Sequence, residues 1–141
     1  LKALYVCGAD LLAVEDANLI ERAARGVDLL IVQDLFLNPL AELAEVVLPS
    51  LSFAEKDGTF TNHAGRVQRF QRAWNPPEGQ LGDGAIFSEV LARVSESQAG
   101  FDPQRVFDDE IAAGVAAYAG LSYAVLGDEG ALAAQARGAE G

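Results

Sequence analysis

The sequence predicts an α/β fold built on a doubly wound, mostly parallel sheet, with an added β-hairpin and C-terminal helices. Three patterns indicate this fold: two short apolar runs, a helical segment between them, and a pair of short strands bracketed by glycines. Continuous apolar runs are typical of strands that are buried on both faces, as in parallel sheets covered by helices. The chain has 141 residues, half of them hydrophobic, which is enough to bury one core.

The first elements along the chain predict a strand, a helix and a second strand. Residues 3–7 and 29–32 are the apolar runs, and residues 15–25 carry apolar side chains at helical spacing. Gly26 is suited to a left-handed C-terminal cap for this helix. This order of elements predicts a parallel crossover connection.

Two shorter elements follow the second strand. Asn38 and Pro39 offer a cap followed by a first-turn proline, which predicts a short helix through about Ala44. The apolar residues 46–48, which end at Pro49, predict a third strand.

Residues 55–68 have the pattern of a β-hairpin. A short strand follows Gly58, a turn ends in Gly65, and a second short strand begins after it. Val67 and Phe70 are three residues apart and cannot face the same side of a regular strand. We therefore expect a bulge or a strand end near Gln68.

Two helices are predicted after the hairpin. Asp83 is a candidate N-cap for the first, and Asp102 with Pro103 opens the second. The apolar stripe of the first helix is predicted to face the core: Ile86, Phe87, Val90, Leu91 and Val94. Beyond residue 126 alanine and glycine dominate, so we expect a domain over residues 1–126 and a loosely ordered tail over residues 127–141.

The net charge of −11 disfavours nucleic acid as a partner, because nucleic-acid binding requires clustered basic residues. One segment is basic nevertheless, since residues 56–72 hold four bases against one acid. This segment is suited to an acidic partner, as expected of a stand-alone binding module, or its arginines pair with acids of the same fold. No apolar run approaches the roughly 20 residues needed to span a bilayer.

Single copies of cysteine and histidine limit the chemistry of the chain. Cys7 and His63 are too few soft ligands for a self-contained zinc or iron–sulfur site. Cys7 ends an apolar run and is predicted to be a small buried residue. Ser50 has no histidine that the sequence places to activate it, so a nucleophilic hydrolase is not favoured.

The chain begins at Leu1 and contains no methionine, so we expect a fragment of a longer polypeptide.

Position in the predicted sheet nominates candidate binding residues. Ligands of open α/β sheets lie beyond the carboxyl ends of the strands, where Gly8, Ala9, Asp10, Gln33 and Asp34 occur. The first turn lacks the glycine-rich pattern of a dinucleotide site, so a nicotinamide nucleotide is not favoured. The two aspartates have an alternative interpretation as turn or cap residues.

The hairpin sequence resembles a family signature. Residues 55–68 follow the order E-K-x-G-T-F-T-N-x-x-G-R-V-Q, which is similar to the molybdopterin oxidoreductase family. Further similar segments occur in the same order at residues 5–8, 30–34, 44–49 and 107–126. The resemblance is strongest to formate dehydrogenase catalytic chains and to the large G-type subunit of NADH-quinone oxidoreductase (complex I).

The resemblance implies roles for six residues. In catalytic members the sheet helps to form a pocket for a pterin dinucleotide; there Gly8, Asp10, Gln33 and Asp34 would line the nucleotide end, and Asn62 and Arg66 would lie near the pterin. Catalytic relatives tend to carry G-E-N-P after the first strand, where this chain has Gly-Ala-Asp-Leu. They also commonly place an aromatic residue where this chain has 82–85, Gly-Asp-Gly-Ala. These departures favour the complex I subunit.

A complex I assignment implies that the chain is part of the large iron–sulfur subunit of an NADH-quinone oxidoreductase. It would act as a scaffold without catalytic residues, metal ligands or a cofactor of its own, with iron–sulfur clusters elsewhere in the parent subunit. Its partners would be the remaining polypeptide and other peripheral-arm subunits, at the cytoplasmic face of the inner membrane. The alternative is a fragment of a catalytic molybdopterin enzyme of the formate dehydrogenase type.

Overall fold

The chain forms two compact units. A computed structural model describes residues 1–13, 16–96 and 100–134. The first unit comprises residues 1–52 and 77–83, and the second comprises residues 53–76 and those from 84 onward. Helices and sheets are mixed, as predicted for the α/β class, but one sheet is parallel and the other antiparallel. A doubly wound, mostly parallel sheet is therefore not confirmed.

A three-stranded parallel sheet forms the first unit. Its strands are β1 (Ala3–Cys7), β2 (Leu29–Asp34) and β3 (Val46–Pro49), in the spatial order β1-β2-β3. Tyr5 of β1 pairs with Ile31 of β2, in register along the whole strand. The predicted parallel connection between the first two strands is confirmed.

Helix α1 (Ala17–Arg25) connects β1 to β2, and the carboxylate of Asp16 caps it by accepting a hydrogen bond from the Leu19 N–H (3.0 Å). The prediction of a left-handed cap at Gly26 is wrong, because its φ is −90°. The Gly26 N–H closes a tight right-handed turn on the Ala23 carbonyl (3.1 Å), so a positive φ is not required.

The segment between β2 and β3 contains less helix than predicted. Only a 3₁₀ turn, Ala41–Leu43, forms after Pro39. The capping prediction is confirmed, since the side-chain oxygen of Asn38 accepts from the Ala41 N–H (2.9 Å). Among the described residues, one hydrophobic cluster forms the core of the first unit, with the buried members Val6, Ala24, Leu30, Val32, Leu40 and Ala41.

The second unit contains an antiparallel sheet. Strands β4 (Gly58–Thr61) and β5 (Arg66–Phe70) form the predicted hairpin, and β6 (Ala131–Leu132) pairs with the other edge of β5. Of the two expectations near Gln68, the bulge does not form, because the pairing runs unbroken from Gly58–Phe70 to Thr61–Val67, and the strand ends at Phe70. Side chains alternate faces along β5, so Val67 enters the core while Phe70 stacks on Phe60, with ring centroids 4.6 Å apart.

Short helical elements follow the hairpin: α2 (Asp83–Ser95), α3 (Pro103–Arg105), a π-helix (Val106–Ile111), α4 (Ala112–Gly114) and α5 (Tyr123–Leu126). The predicted cap at Asp102 is confirmed, because its carboxylate accepts from the Gln104 N–H (2.9 Å).

The predicted core-facing stripe of α2 is largely wrong. Ile86 is buried, but Leu91 is 62% exposed and Val94 is 79% exposed. Helical spacing predicts which side chains share a face, and it does not indicate whether a partner covers that face. The core of the second unit is instead made from other elements: Val67, Phe107, Ala112, Leu121, Tyr123, Leu126 and Ala133.

The start of the expected tail contributes to this core. Ala131 and Leu132 pair with β5, and Ala133 is buried, which the alanine and glycine content did not predict. Residues 135–141 lie outside the described residues, and the division at residue 126 stays a prediction. Within the described ranges, no helix combines the length and the apolar character needed to cross a bilayer.

Candidate functional site

The carboxyl ends of β1 and β2 bring three of the predicted residues together. Gly8 follows β1 with φ +60°, a backbone conformation that favours glycine. Its N–H donates to the carbonyl of Gln33, with an N···O distance of 2.9 Å. Asp34 is the next residue of β2, so all three lie at the same edge of the parallel sheet.

Gln33 is fully buried, and both polar atoms of its amide are hydrogen-bonded. The Tyr5 hydroxyl donates to Oε1, and Nε2 donates to the Asp83 carboxylate (2.8 Å). A buried amide is costly unless it is paired in this way. The side chain of Gln33 is therefore used by the fold.

Asp83 is the centre of this polar cluster, and the sequence did not reveal that role. One of its oxygens accepts from Gln33 and from the Ser50 hydroxyl, while the Cys7 sulfur lies 3.9 Å away. The contacts join positions 33 to 76 residues apart, so no local pattern could have indicated them. Cys7 is exposed, and the prediction of a buried cysteine is wrong because it ends the strand at the sheet edge.

The environment of this cluster changes the acidity of Tyr5. Burial raises the pKa of its hydroxyl, and electrostatic interactions with Cys7 and Asp83 raise it further. Tyr5 therefore stays a neutral hydrogen-bond donor to Gln33 over the physiological range.

The two aspartates at this edge differ in their partners. The carboxylate of Asp34 accepts from the Phe36 N–H (3.2 Å) and from the Asn38 side-chain amide (3.0 Å). These contacts agree with the alternative interpretation of Asp34 as a turn residue. Asp10 precedes a 3₁₀ turn, and its Oδ1 is buried without a hydrogen-bond partner among the described residues. Asp10 therefore retains an acceptor that the described fold does not use.

Asn62 and Arg66 belong to the second unit, in the turn and return strand of the hairpin. The side-chain oxygen of Asn62 accepts from the N–H groups of Ala64 and Arg66, both at 3.0 Å. The guanidinium of Arg66 donates to the carbonyl of Gly130 (3.3 Å). These contacts stabilise the turn and its junction with β6.

Two arginines of the basic segment, Arg66 and Arg69, donate to backbone carbonyls and are not seen in an ion pair among the described residues. Arg69 donates to the carbonyl of Tyr123 (3.1 Å) and lies over the ring of the same residue, 5.1 Å from its centroid. Burial raises the pKa of the Tyr123 hydroxyl, the Arg69 charge opposes that shift, and nearby aspartates add to it.

A pterin dinucleotide needs several polar groups that are free to face it. Gln33, Asp34, Asn62 and Arg66 instead make hydrogen bonds within their own unit. Among the described residues, the Oδ1 of Asp10 is a buried acceptor without a hydrogen-bond partner, and an added Cβ at Gly8 would meet open space. The paired amide of Gln33 does not fit a role in holding this cofactor, and the assignment of the other five residues to it stays a prediction.

A metal site requires several ligating side chains gathered around one position. No group of three or more histidine, cysteine, aspartate or glutamate side chains is placed to hold an ion in the part of the chain that the structure describes. The polar cluster around Asp83 can hold strand ends together, and it contains no nucleophile paired with a histidine.

Comparison with known proteins places the chain in a family. Residues 1–93 match the family model described as molybdopterin oxidoreductase. The chain belongs to the molybdopterin oxidoreductase family. This match covers both the parallel sheet and the hairpin, in agreement with the resemblance noted in the sequence.

Several molybdopterin-family relatives are similar over most of the chain. The F420-dependent formate dehydrogenase 2 subunit alpha of Methanococcus maripaludis is 39% identical over 131 residues, which is 92% of this chain and 19% of that protein. A G-type NADH-quinone oxidoreductase subunit of Rhizobium meliloti is 39% identical over 134 residues, 94% of this chain and 16% of that protein. The NADPH-Fe(3+) oxidoreductase subunit alpha of Geobacter sulfurreducens is 40% identical over 121 residues, 85% of this chain and 14% of that protein. The chain thus spans a fifth or less of these relatives.

Proposed function

We propose that this chain is a scaffold region of the large iron–sulfur subunit of a respiratory NADH-quinone oxidoreductase. Residues 1–126 would form its molybdopterin-oxidoreductase-like domain, supporting electron transfer from NADH to quinone without binding substrate. The partners would be the rest of the parent polypeptide and other peripheral-arm subunits, at the cytoplasmic face of the membrane. Nucleic acid is not a partner in this proposal, and the chain itself does not insert into the membrane.

The observation that carries the proposal is the buried amide of Gln33. In a cofactor pocket this residue would need a free amide group, but Tyr5 and Asp83 occupy both of its polar atoms. The strands also run in the simple order β1-β2-β3, so the described sheet contains no reversal of strand order at which ligands bind in open sheets. Both features favour a structural role. The similarity to the Rhizobium meliloti subunit supports the choice of an NADH-quinone oxidoreductase as the complex in which the chain has that role.

Metal and pterin analysis of the intact parent subunit tests the proposal. We expect iron by elemental analysis, no stoichiometric molybdenum or tungsten, and no fluorescence of oxidised pterin after acid extraction. A formate dehydrogenase alpha subunit processed in parallel serves as the positive control for pterin recovery. Stoichiometric pterin in the parent subunit would overturn the scaffold role.

The second candidate function is a catalytic molybdopterin enzyme of the formate dehydrogenase type. It is favoured by the equal identity to the Methanococcus maripaludis subunit and by the free acceptor of Asp10, which could meet a ligand hydroxyl. Formate oxidation by the whole polypeptide, together with bound molybdenum or tungsten, would decide for this function. The absence of formate oxidation and of both metals, in a preparation that retains its iron, would decide against a catalytic molybdopterin enzyme.

A further inference from the structure

A cavity in the second unit is lined by none of the six candidate cofactor residues. Its volume is about 250 Å³, and its walls are Arg69, Gln71, Gly127 and Asp128. Arg69 lies near the end of β5 and Gln71 follows that strand, whereas Gly127 and Asp128 lie in the turn between α5 and β6. The cavity is therefore formed by two segments that β5 and β6 hold together.

Local contacts position the guanidinium of Arg69 and the backbone of the turn that carries Asp128. The guanidinium of Arg69 is held by the carbonyl and the ring of Tyr123. The turn that carries Asp128 is closed by a hydrogen bond from the Gly130 N–H to the Leu126 carbonyl (2.8 Å). Gly127 takes φ +51°, and an added Cβ there would meet open space.

Two side chains of opposite charge, Arg69 and Asp128, line this cavity without forming an ion pair with each other. Neither pairs with another charged side chain of the described residues. Arg69 donates only through Nη1, so its other N–H groups can bind a carboxylate in the two-pronged geometry that guanidinium favours. The amide of Gln71 adds both a donor and an acceptor.

We propose that this cavity binds a small zwitterion of the α-amino acid type. The ligand carboxylate binds Arg69, and its ammonium group binds Asp128. A simple anion would be repelled by Asp128 and a simple cation by Arg69, so a ligand that carries both charges fits this pair best. The volume lies below that of drug-sized sites, which limits the ligand to a small molecule.

Equilibrium dialysis of the whole polypeptide with labelled glycine tests the site. We expect saturable binding of glycine, and binding of acetate or methylammonium that is at least about ten-fold weaker because each carries one charge only. Arg69→Gln and Asp128→Asn should each weaken glycine binding at least about ten-fold. The matched control is Arg72→Gln, a nearby basic residue outside the cavity, which should bind glycine as the unmodified protein does.

Several outcomes would overturn the site. They are no saturable glycine binding, equal binding of acetate, or glycine binding that persists in the Asp128→Asn variant. The side chain of Asp128 makes no hydrogen bond or ion pair within the described residues, so Asp128→Asn removes no such contact, and the test stands even where Arg69→Gln fails to fold. The result is independent of pterin analysis, because iron and pterin content do not report on this cavity.

Discussion

At the scale of single residues, the side chains that define the candidate site are linked to one another. The amide of Gln33 connects the hydroxyl of Tyr5 to the carboxylate of Asp83, which also accepts from Ser50. Such a network is stable only while each buried member keeps its partners, because an unpaired buried polar group is costly. We expect the loss of Asp83 to destabilise this network most, since the Gln33 amide and the Ser50 hydroxyl would both lose their acceptor.

We expect Asp83→Ala to lower the free energy of unfolding of the first unit by about 2 kcal/mol, because a buried amide proton of Gln33 loses its acceptor. Urea denaturation measures the change. The matched control is Glu21→Ala, which removes an exposed carboxylate that pairs with Arg25 and should cost well under about 1 kcal/mol. Equal losses in the two variants would contradict the role given to the network.

Elements were predicted from sequence to different degrees. The strand β1, the hairpin and the cap at Asp102 follow from local patterns, and the structure confirms them. The exposure of the α2 stripe and the role of Asp83 depend on contacts between distant parts of the chain. Local spacing carries no information about such contacts, so the sequence could nominate strand-end residues without indicating which of them the fold itself uses.

Strand β6 depends on one glycine. Gly130 has φ +73°, and a Cβ placed on it would lie 2.3 Å from the Val67 carbonyl oxygen. Only glycine allows the chain to approach β5 this closely, so the pairing of Ala131 with Val67 follows from that residue.

Replacement of Gly130 by alanine tests the role of this glycine, with Gly120→Ala as the matched control. Gly120 has φ +79° and an added Cβ there meets open space, so we expect Gly120→Ala to lower the free energy of unfolding by about 1 kcal/mol through backbone strain alone. Gly130→Ala should cost about 2 kcal/mol more, because the methyl group also collides with backbone. Thermal unfolding of both variants measures the difference, and equal stabilities would show that β6 does not pack against β5 as described.

At the scale of the whole molecule, the described residues form two hydrophobic cores. One contains Leu30 and Val32 on the parallel sheet, and the other contains Val67 on the antiparallel sheet. No buried side chain of either described core belongs to the other unit. We therefore expect the two cores to respond separately to substitutions.

Hydrogen exchange should reveal this division. Leu30→Ala removes a side chain that is 1% exposed and should cost about 2–5 kcal/mol, speeding exchange at the β2 amides while those of β5 change little. Val67→Ala should have the reverse effect. The matched control is Leu29→Ala, since Leu29 is 36% exposed and should change exchange much less. Equal acceleration of both sheets in both core variants would mean that the two cores unfold as one.

The exposed thiol of Cys7 has a practical consequence. It is the only cysteine of the sequence, and it lies beside Gly8 at the carboxyl end of β1. A thiol-reactive dye would attach to this chain at one position, next to the candidate cofactor edge. Its emission would then report directly whether a ligand or a neighbouring protein arrives there.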